Sequence, residues 1–128
     1  VPADAFQLLR RLRAEGSGHF DMIVVDPPTF ARTADQVANA LRAYRRLAQD
    51  ALAVLQRADH SSARPAILAM ASCTARVERE PFFSTIHAAA GDVGLSLREI
   101  ERMGHPLDHP VGFQEGAYLK CLFAEVEP

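Results

Sequence analysis

The segment HFDMIVVDPPTF at residues 19–30 is the feature that most constrains how this chain can fold. Its apolar first half is typical of a β-strand. Asp26, Pro27 and Pro28 follow, and because proline fixes φ and lacks an N–H, the strand must end there. In an open α/β sheet, ligands bind at the carboxyl ends of strands. The Asp26 carboxylate, the proline carbonyls and the Phe30 ring are therefore predicted to line a crevice suited to a flat, hydrogen-bonding ring such as a nucleobase.

The rest of the chain alternates between helical and extended apolar patterns. The spacing predicts helices at 2–15, 33–58 and 78–90 and strands at 19–26, 66–72, 95–103 and 117–126. Such alternation favours an α/β fold with a mostly parallel sheet and helices on both faces. The last two strands are joined without a helix, which predicts an antiparallel terminal strand.

Composition limits the classes of protein that fit. With 128 residues, 48% hydrophobic and 23% charged, the chain is predicted to form one globular domain. A net charge of -2 does not support general attraction to phosphate, so a nucleic-acid-binding surface has to be local. Two cysteines in apolar runs indicate a reducing, cytoplasmic setting. No apolar run reaches the roughly 18 residues of a membrane span, which predicts a soluble protein without a membrane partner.

Three motifs carry a resemblance to a known family. Asp26-Pro27-Pro28-Thr29-Phe30 resembles motif IV of class I S-adenosylmethionine (SAM)-dependent methyltransferases that act on large-subunit ribosomal RNA (rRNA). Ala71-Ser72-Cys73-Thr74 resembles motif VI of the cytosine-5 branch of that family. Residues 105–120 resemble the D-H-P and P-E-G-x-Y-L-K ending of the same branch, with Gln114 where the family usually has proline. The chain is identified as a member of this branch, which implies the carboxyl-terminal half of a Rossmann-like methyltransferase sheet.

The resemblance assigns roles to residues of this chain. It implies SAM as cofactor, rRNA as substrate and Cys73 as the nucleophile that adds to C6 of a cytosine. The Asp26 carboxylate and the Pro27 carbonyl would orient the base, with Pro28 and Phe30 beside it. Three residues of the last loop are candidates for base contact or proton removal, and their spacing does not choose among them: Asp108, His109 and Glu115.

Cofactor contacts are predicted from less of the family pattern. Asp4-Ala5-Phe6 resembles the D-x-F in which the acid contacts the SAM adenine, so Asp4 and Asp26 are the cofactor-binding candidates. Asp4 is equally well explained as an acid at a helix start. No glycine-rich turn follows a first strand, so residues 1–128 are expected to be a partial methyltransferase domain without its amino-terminal cofactor-binding half, inactive alone. A sheet cut in this way exposes an edge, which makes a homodimer an expectation.

Other interpretations remain open on sequence alone. An Asp-Pro-Pro-Phe motif also suits methylation of an amino nitrogen without a thiol, and a non-catalytic RNA-binding module is a third interpretation. Cys73 and Cys121 both suit a buried strand. A metal site at residues 105–109 is disfavoured because no further ligand cluster is evident, so no metal is predicted. Lys120 is expected to face phosphate or solvent.

Overall fold

The computed structural model describes residues 4–15, 20–55, 64–104 and 118–128. The helices are α1 (Ala5–Ala14), α2 (Val37–Val54) and α3 (Arg79–Asp92), and a single 3-10 turn, Ala34–Gln36, precedes α2. The strands are β1 (Met22–Val25), β2 (Ala66–Ser72), β3 (Ser96–Met103) and β4 (Lys120–Glu127). The predicted order of helices and strands is confirmed.

Several helix ends differ from the predicted ranges, and for two of them the structure shows a local reason. α1 begins after Asp4, whose Oδ1 accepts the Gln7 backbone N–H at 3.0 Å and caps the helix. α2 ends at Val54 instead of continuing to residue 58. Leu55 is already extended, with φ -68° and ψ 147°, and it forms a parallel bridge with Phe20. Pairing with the chain before β1 therefore stops the helix although its apolar spacing continues.

The four strands form one sheet in the order β1-β2-β4-β3. β1 pairs with β2 in parallel, whereas β4 lies between β2 and β3 and is antiparallel to both. β1, β2 and β3 thus run in one direction and only the terminal strand is reversed. This confirms the predicted mostly parallel sheet with an antiparallel last strand. The carboxyl ends of β1 and β2 consequently lie side by side, with Val25 opposite Met70.

The described helices form a single layer on one face of the sheet. α2 lies between α1 and α3, and their apolar side chains join those of β2 and β4 in one core. On the other face of β1, Met22 is 48% and Val24 is 65% exposed. The expectation of helices on both faces is therefore wrong for the described part of the chain, since strand and helix order does not fix the face on which each helix packs.

Candidate active site

The Cys73 thiol lies against the Asp-Pro-Pro turn. β2 ends at Ser72, so Cys73 emerges beside the end of β1. Its Sγ is 3.5 Å from the Thr29 Oγ1 and 4.0 Å from the Pro27 carbonyl oxygen. The thiol is half-buried, whereas the neighbouring Asp26 is exposed. The two motifs that the sequence assigned to one crevice are thus in contact.

A buried set of hydroxyl groups fixes both turns against α2. The Tyr44 hydroxyl is hydrogen-bonded to the Ser72 Oγ at 2.7 Å and to the Thr74 Oγ1 at 2.5 Å. The Thr74 Oγ1 also accepts the Phe30 backbone N–H at 3.2 Å. Tyr44, Ser72 and Thr74 are completely buried, and hydrogen bonds inside a low-dielectric core hold geometry strongly. The residues on both sides of Cys73 are therefore anchored, and so is the end of the Asp-Pro-Pro turn.

Lys120 lies under the same turn. The side chain is buried, and its Nζ donates to the Thr74 and Tyr118 carbonyl oxygens, each at 2.9 Å. Burial lowers the pKa of Lys120, negative charge on Cys73 acts in the opposite direction, and the nearby Arg79 lowers it further. The expectation that Lys120 faces phosphate or solvent is wrong, because two backbone carbonyls hold the ammonium group inside the protein.

A cavity of about 510 Å³ opens between α1 and the end of β1. Asp4 and Asp26 both line it, and the Asp-Pro-Pro turn forms one side through Pro27 and Pro28. The Phe30 ring also lines the cavity, although it packs mainly inward, with its centroid 4.9 Å from that of Tyr44. An apolar wall with two carboxylates suits a flat ring that carries an amino group, since carboxylates accept hydrogen bonds from amino donors.

A second groove, of about 380 Å³, lies between α1 and α2. Arg10, Arg42 and Arg46 line it, with Asp4 as its one acidic residue. The Asp4 Oδ1 already accepts the Gln7 N–H as a helix cap. This groove is locally positive although the whole chain carries a net charge of -2.

No protein-family model matches the sequence. A ribosomal RNA large subunit methyltransferase I from Shewanella denitrificans is 38% identical over 126 residues, which are 97% of this chain and 30% of that protein. A ribosomal RNA large subunit methyltransferase from Deinococcus radiodurans is 33% identical over 127 residues, or 99% of this chain and 29% of that protein. The chain is thus similar to these methyltransferases over nearly its whole length. It spans about 30% of the length of these relatives.

Solved methyltransferase structures share the fold. A crystal structure described as a methyltransferase complexed with S-adenosylhomocysteine has a TM-score of 0.72, with 21% sequence identity, and the match covers 96% of this chain and 30% of that one. A SAM-dependent methyltransferase from Streptococcus mutans also gives a TM-score of 0.72, at 19% identity, over 96% of this chain and 29% of that one. The chain therefore shares the fold of these methyltransferase structures over nearly all of its length.

The structure brings together six of the residues that the methyltransferase resemblance selected. Pro27 contacts the Cys73 thiol, and the cavity between α1 and β1 is shared by Asp4, Asp26, Pro27, Pro28 and Phe30. The remaining candidates, Asp108, His109 and Glu115, lie outside the described residues. Within the described ranges, no group of three or more His, Cys, Asp or Glu side chains is arranged to hold a metal ion.

The sequence analysis did not predict the buried residues that hold the Asp-Pro-Pro turn and the turn with Cys73 in place. Tyr44 fits the apolar stripe of α2, so nothing in the pattern indicated that its hydroxyl is used. Ser72 and Thr74 were seen only as the flanks of Cys73. Lys120 did give a signal, because it is the only lysine among the 14 basic residues and stands at the start of an alternating apolar strand.

Proposed function

We propose that this chain forms the substrate-binding part of a SAM-dependent methyltransferase that methylates C5 of a cytosine in large-subunit rRNA. The observation that carries the proposal is the contact between the Cys73 thiol and the Asp-Pro-Pro-Thr turn, 3.5 Å from Thr29 and 4.0 Å from the Pro27 carbonyl. The names of the relatives in Shewanella and Deinococcus support the enzyme class and the rRNA substrate.

Cys73 would act as a covalent nucleophile, because C5 of a cytosine is too weak a nucleophile by itself. Its thiolate forms a bond to C6, and the electron pair of the C5–C6 double bond moves to C5. C5 then takes the methyl group, and a base removes the C5 proton. The returning electron pair re-forms the double bond and expels the thiolate. We assign the base to Asp108, His109 or Glu115.

The Asp-Pro-Pro turn would hold the cytosine beside the thiol. The exposed Asp26 carboxylate can accept hydrogen bonds from the N4 amino group, which distinguishes cytosine from uracil. The Pro27 carbonyl is an acceptor with no N–H of its own residue beside it. Because this carbonyl also contacts the Cys73 thiol, a base bound at the turn would lie next to the nucleophile.

The cavity between α1 and β1 fits one side of the cofactor. SAM, when bound, supplies a methyl group on a positively charged sulfur. Asp4 would accept from the adenine amino group through the carboxylate oxygen that does not cap α1. Phe6, Ile23 and Phe30 would form the apolar wall for the ring. These residues bind and orient, and the electrophilic chemistry belongs to the cofactor.

Partners follow from the proposed reaction. RNA phosphates would occupy the groove of Arg10, Arg42 and Arg46, whose local charge is complementary to them. An rRNA substrate also implies a cytoplasmic location. No helix in the described ranges is long and apolar enough to cross a membrane. For this chain alone we further propose self-association through the edge of β1.

The test uses a chimera, in which this chain replaces the matching 30% of the Shewanella denitrificans relative. We expect transfer of labelled methyl groups to large-subunit rRNA, with 5-methylcytidine as the product found by mass spectrometry. Cys73→Ala should lower the rate by at least about a hundredfold, since it removes the nucleophile. Cys121→Ala is the matched control and should stay within about twofold.

Other outcomes of the same experiment identify the alternatives. Methyl transfer that survives in Cys73→Ala, with the label on an amino nitrogen, would mean that the Asp-Pro-Pro turn works without covalent catalysis. RNA binding by the chimera without any methyl transfer, and without an effect of SAM, would indicate a non-catalytic binding module. Thermal unfolding of each variant shows whether a loss of rate reflects a loss of folding.

A further inference from the structure

Lys120 occupies a position where an ammonium group is costly. It is 3% exposed, and removing an ion from water carries a penalty of several kcal/mol unless partners compensate it. The residues that follow on the same face of β4 are Leu122, Ala124 and Val126, all buried and apolar. An apolar residue at position 120 would therefore fit the core pattern, so the presence of the only lysine of the chain points to a role other than packing.

The contacts of Lys120 join two segments that meet at the candidate nucleophile. Its Nζ donates to the carbonyl of Thr74, the residue directly after Cys73, and to the carbonyl of Tyr118, just before β4. Ser72, directly before Cys73, is paired with Lys120 in the sheet. The cysteine is consequently held on both sides by interactions with one residue of β4.

The ammonium group also interacts electrostatically with the thiol. Negative charge on Cys73 raises the pKa of Lys120 against the effect of burial, so the two side chains are close enough to interact electrostatically. Within the described residues, no carboxylate forms an ion pair with Lys120 that would cancel its charge. Charges interact more strongly where water is excluded.

We propose that Lys120 is a positioning residue for Cys73: its buried ammonium group fixes the turn that carries the thiol and stabilises the thiolate form. This inference rests on the proposed role of Cys73 as nucleophile, because a structural cysteine would gain nothing from a buried cation. Addition to a pyrimidine requires the thiolate and not the thiol.

The test measures alkylation of Cys73 by iodoacetamide in the 128-residue chain, in a Cys121→Ala background that leaves one thiol. Lys120→Met keeps the length of the side chain without its charge. We expect its alkylation rate to fall about tenfold at about pH 7 and to agree with that of the parent within about twofold at about pH 10, which is above the ordinary pKa of a thiol. Arg98→Met is the matched loss of one positive charge, on an exposed side chain of β3, and should change neither rate.

Equal rates of Lys120→Met and its parent near pH 7 would overturn the proposal, and so would a loss that persists unchanged near pH 10. If circular dichroism shows that Lys120→Met is unfolded, the parent chain is compared with a peptide of residues 70–76. For the parent and for the peptide, the alkylation rate near pH 7 is divided by the rate near pH 10. This ratio should be at least about fivefold higher for the parent, and equal ratios would overturn the proposal. Neither SAM nor RNA takes part, so this result is independent of the Cys73→Ala methylation test.

Discussion

At the scale of single residues, Tyr44 connects the two motifs of the candidate site. Its ring packs edge-on to Phe82 and tilted to Phe30, and its hydroxyl reaches Ser72 and Thr74. A buried hydroxyl without a partner costs free energy, whereas a paired one fixes the geometry of its neighbours. The phenol therefore supplies apolar packing and an anchor for the turn that carries Cys73.

Tyr44→Phe removes that anchor and keeps the ring. We expect the free energy of unfolding to fall by about 1–2 kcal/mol, because the Ser72 and Thr74 hydroxyl groups lose a buried partner. Urea unfolding followed by circular dichroism measures this change. Ser84→Ala is the control: it removes a hydroxyl group from an exposed residue of α3, so the free energy of unfolding should change by less than about 0.5 kcal/mol. Equal losses in the two variants would contradict the role given to Tyr44.

The residues that line the candidate site were predictable from the sequence, whereas the buried residues that hold them in place were not. A strand that ends in Asp26 and two prolines, and a cysteine that ends the next strand, must meet when the strands are parallel neighbours. Lys120 was misassigned because the charge of a lysine suggests solvent. Its burial depends on carbonyls of Thr74 and Tyr118, which come together only in the folded chain.

At the scale of elements, a group of charged side chains ties α3 to β3. Arg102 donates to Glu99 at 2.8 and 2.9 Å and to Glu80 of α3 at 2.9 Å. The Nε2 of His87 in α3 lies 2.6 Å from the Glu99 Oε1, which also accepts from Arg102. The Arg102 guanidinium also stacks over the Phe83 ring at 4.4 Å. This group lies at the register shift between Glu99 and Glu101, where β3 departs from regular pairing.

The charged group around Glu99 makes the free energy of unfolding depend on pH. Hydrogen bonds from Arg102, and then from His87, lower the pKa of Glu99 from 4.5 to about 2. The unfolded chain therefore binds the proton more readily, so the stabilisation is complete above about pH 4.5 and is lost as the pH falls through about 2. Glu99→Gln should cost on the order of 1 kcal/mol near pH 6, after allowance for solvent screening, and progressively less as the pH falls through about 2.

Urea unfolding of the parent and of Glu99→Gln across this pH range tests that dependence. Glu101→Gln is the matched control, since Glu101 is exposed and takes part in none of the ion pairs found in the described residues. Its stability should follow that of the parent at each pH. A difference between the parent and Glu99→Gln that does not change with pH would contradict the assignment.

The antiparallel pairing of the last two strands was predictable from the connection between them, whereas the faces on which the helices pack were not. Ser96–Met103 and Lys120–Glu127 are joined without a helix in the pattern, which correctly indicated an antiparallel pair. The irregular spacing around Ile100 reflects the register shift and leaves that side chain 53% exposed. The face on which each helix packs depends on tertiary contacts. All three described helices pack on the same face of the sheet.

At the scale of the whole molecule, the two edges of the sheet differ in chemistry. β3 carries Arg98, Glu99, Glu101 and Arg102, and charged side chains oppose pairing with another strand. β1 has the sequence MIVV, with no charge, and exposes Val24 at 65%. An apolar edge strand without charges is a template for association. Self-association of this chain should therefore use β1 and not β3.

Val24→Lys tests which edge is used. A charge on β1 should raise the dimer dissociation constant at least about tenfold, because association would bury an unpaired ammonium group. Ile100→Lys is the matched control on β3, at an apolar residue of similar exposure, and should change the constant by less than about threefold. Sedimentation equilibrium of both variants and the parent measures it, with circular dichroism as the check of folding. Equal effects of the two substitutions would indicate general apolar contact instead of pairing at one edge. A parent that stays monomeric at every concentration would remove β1 as an interface.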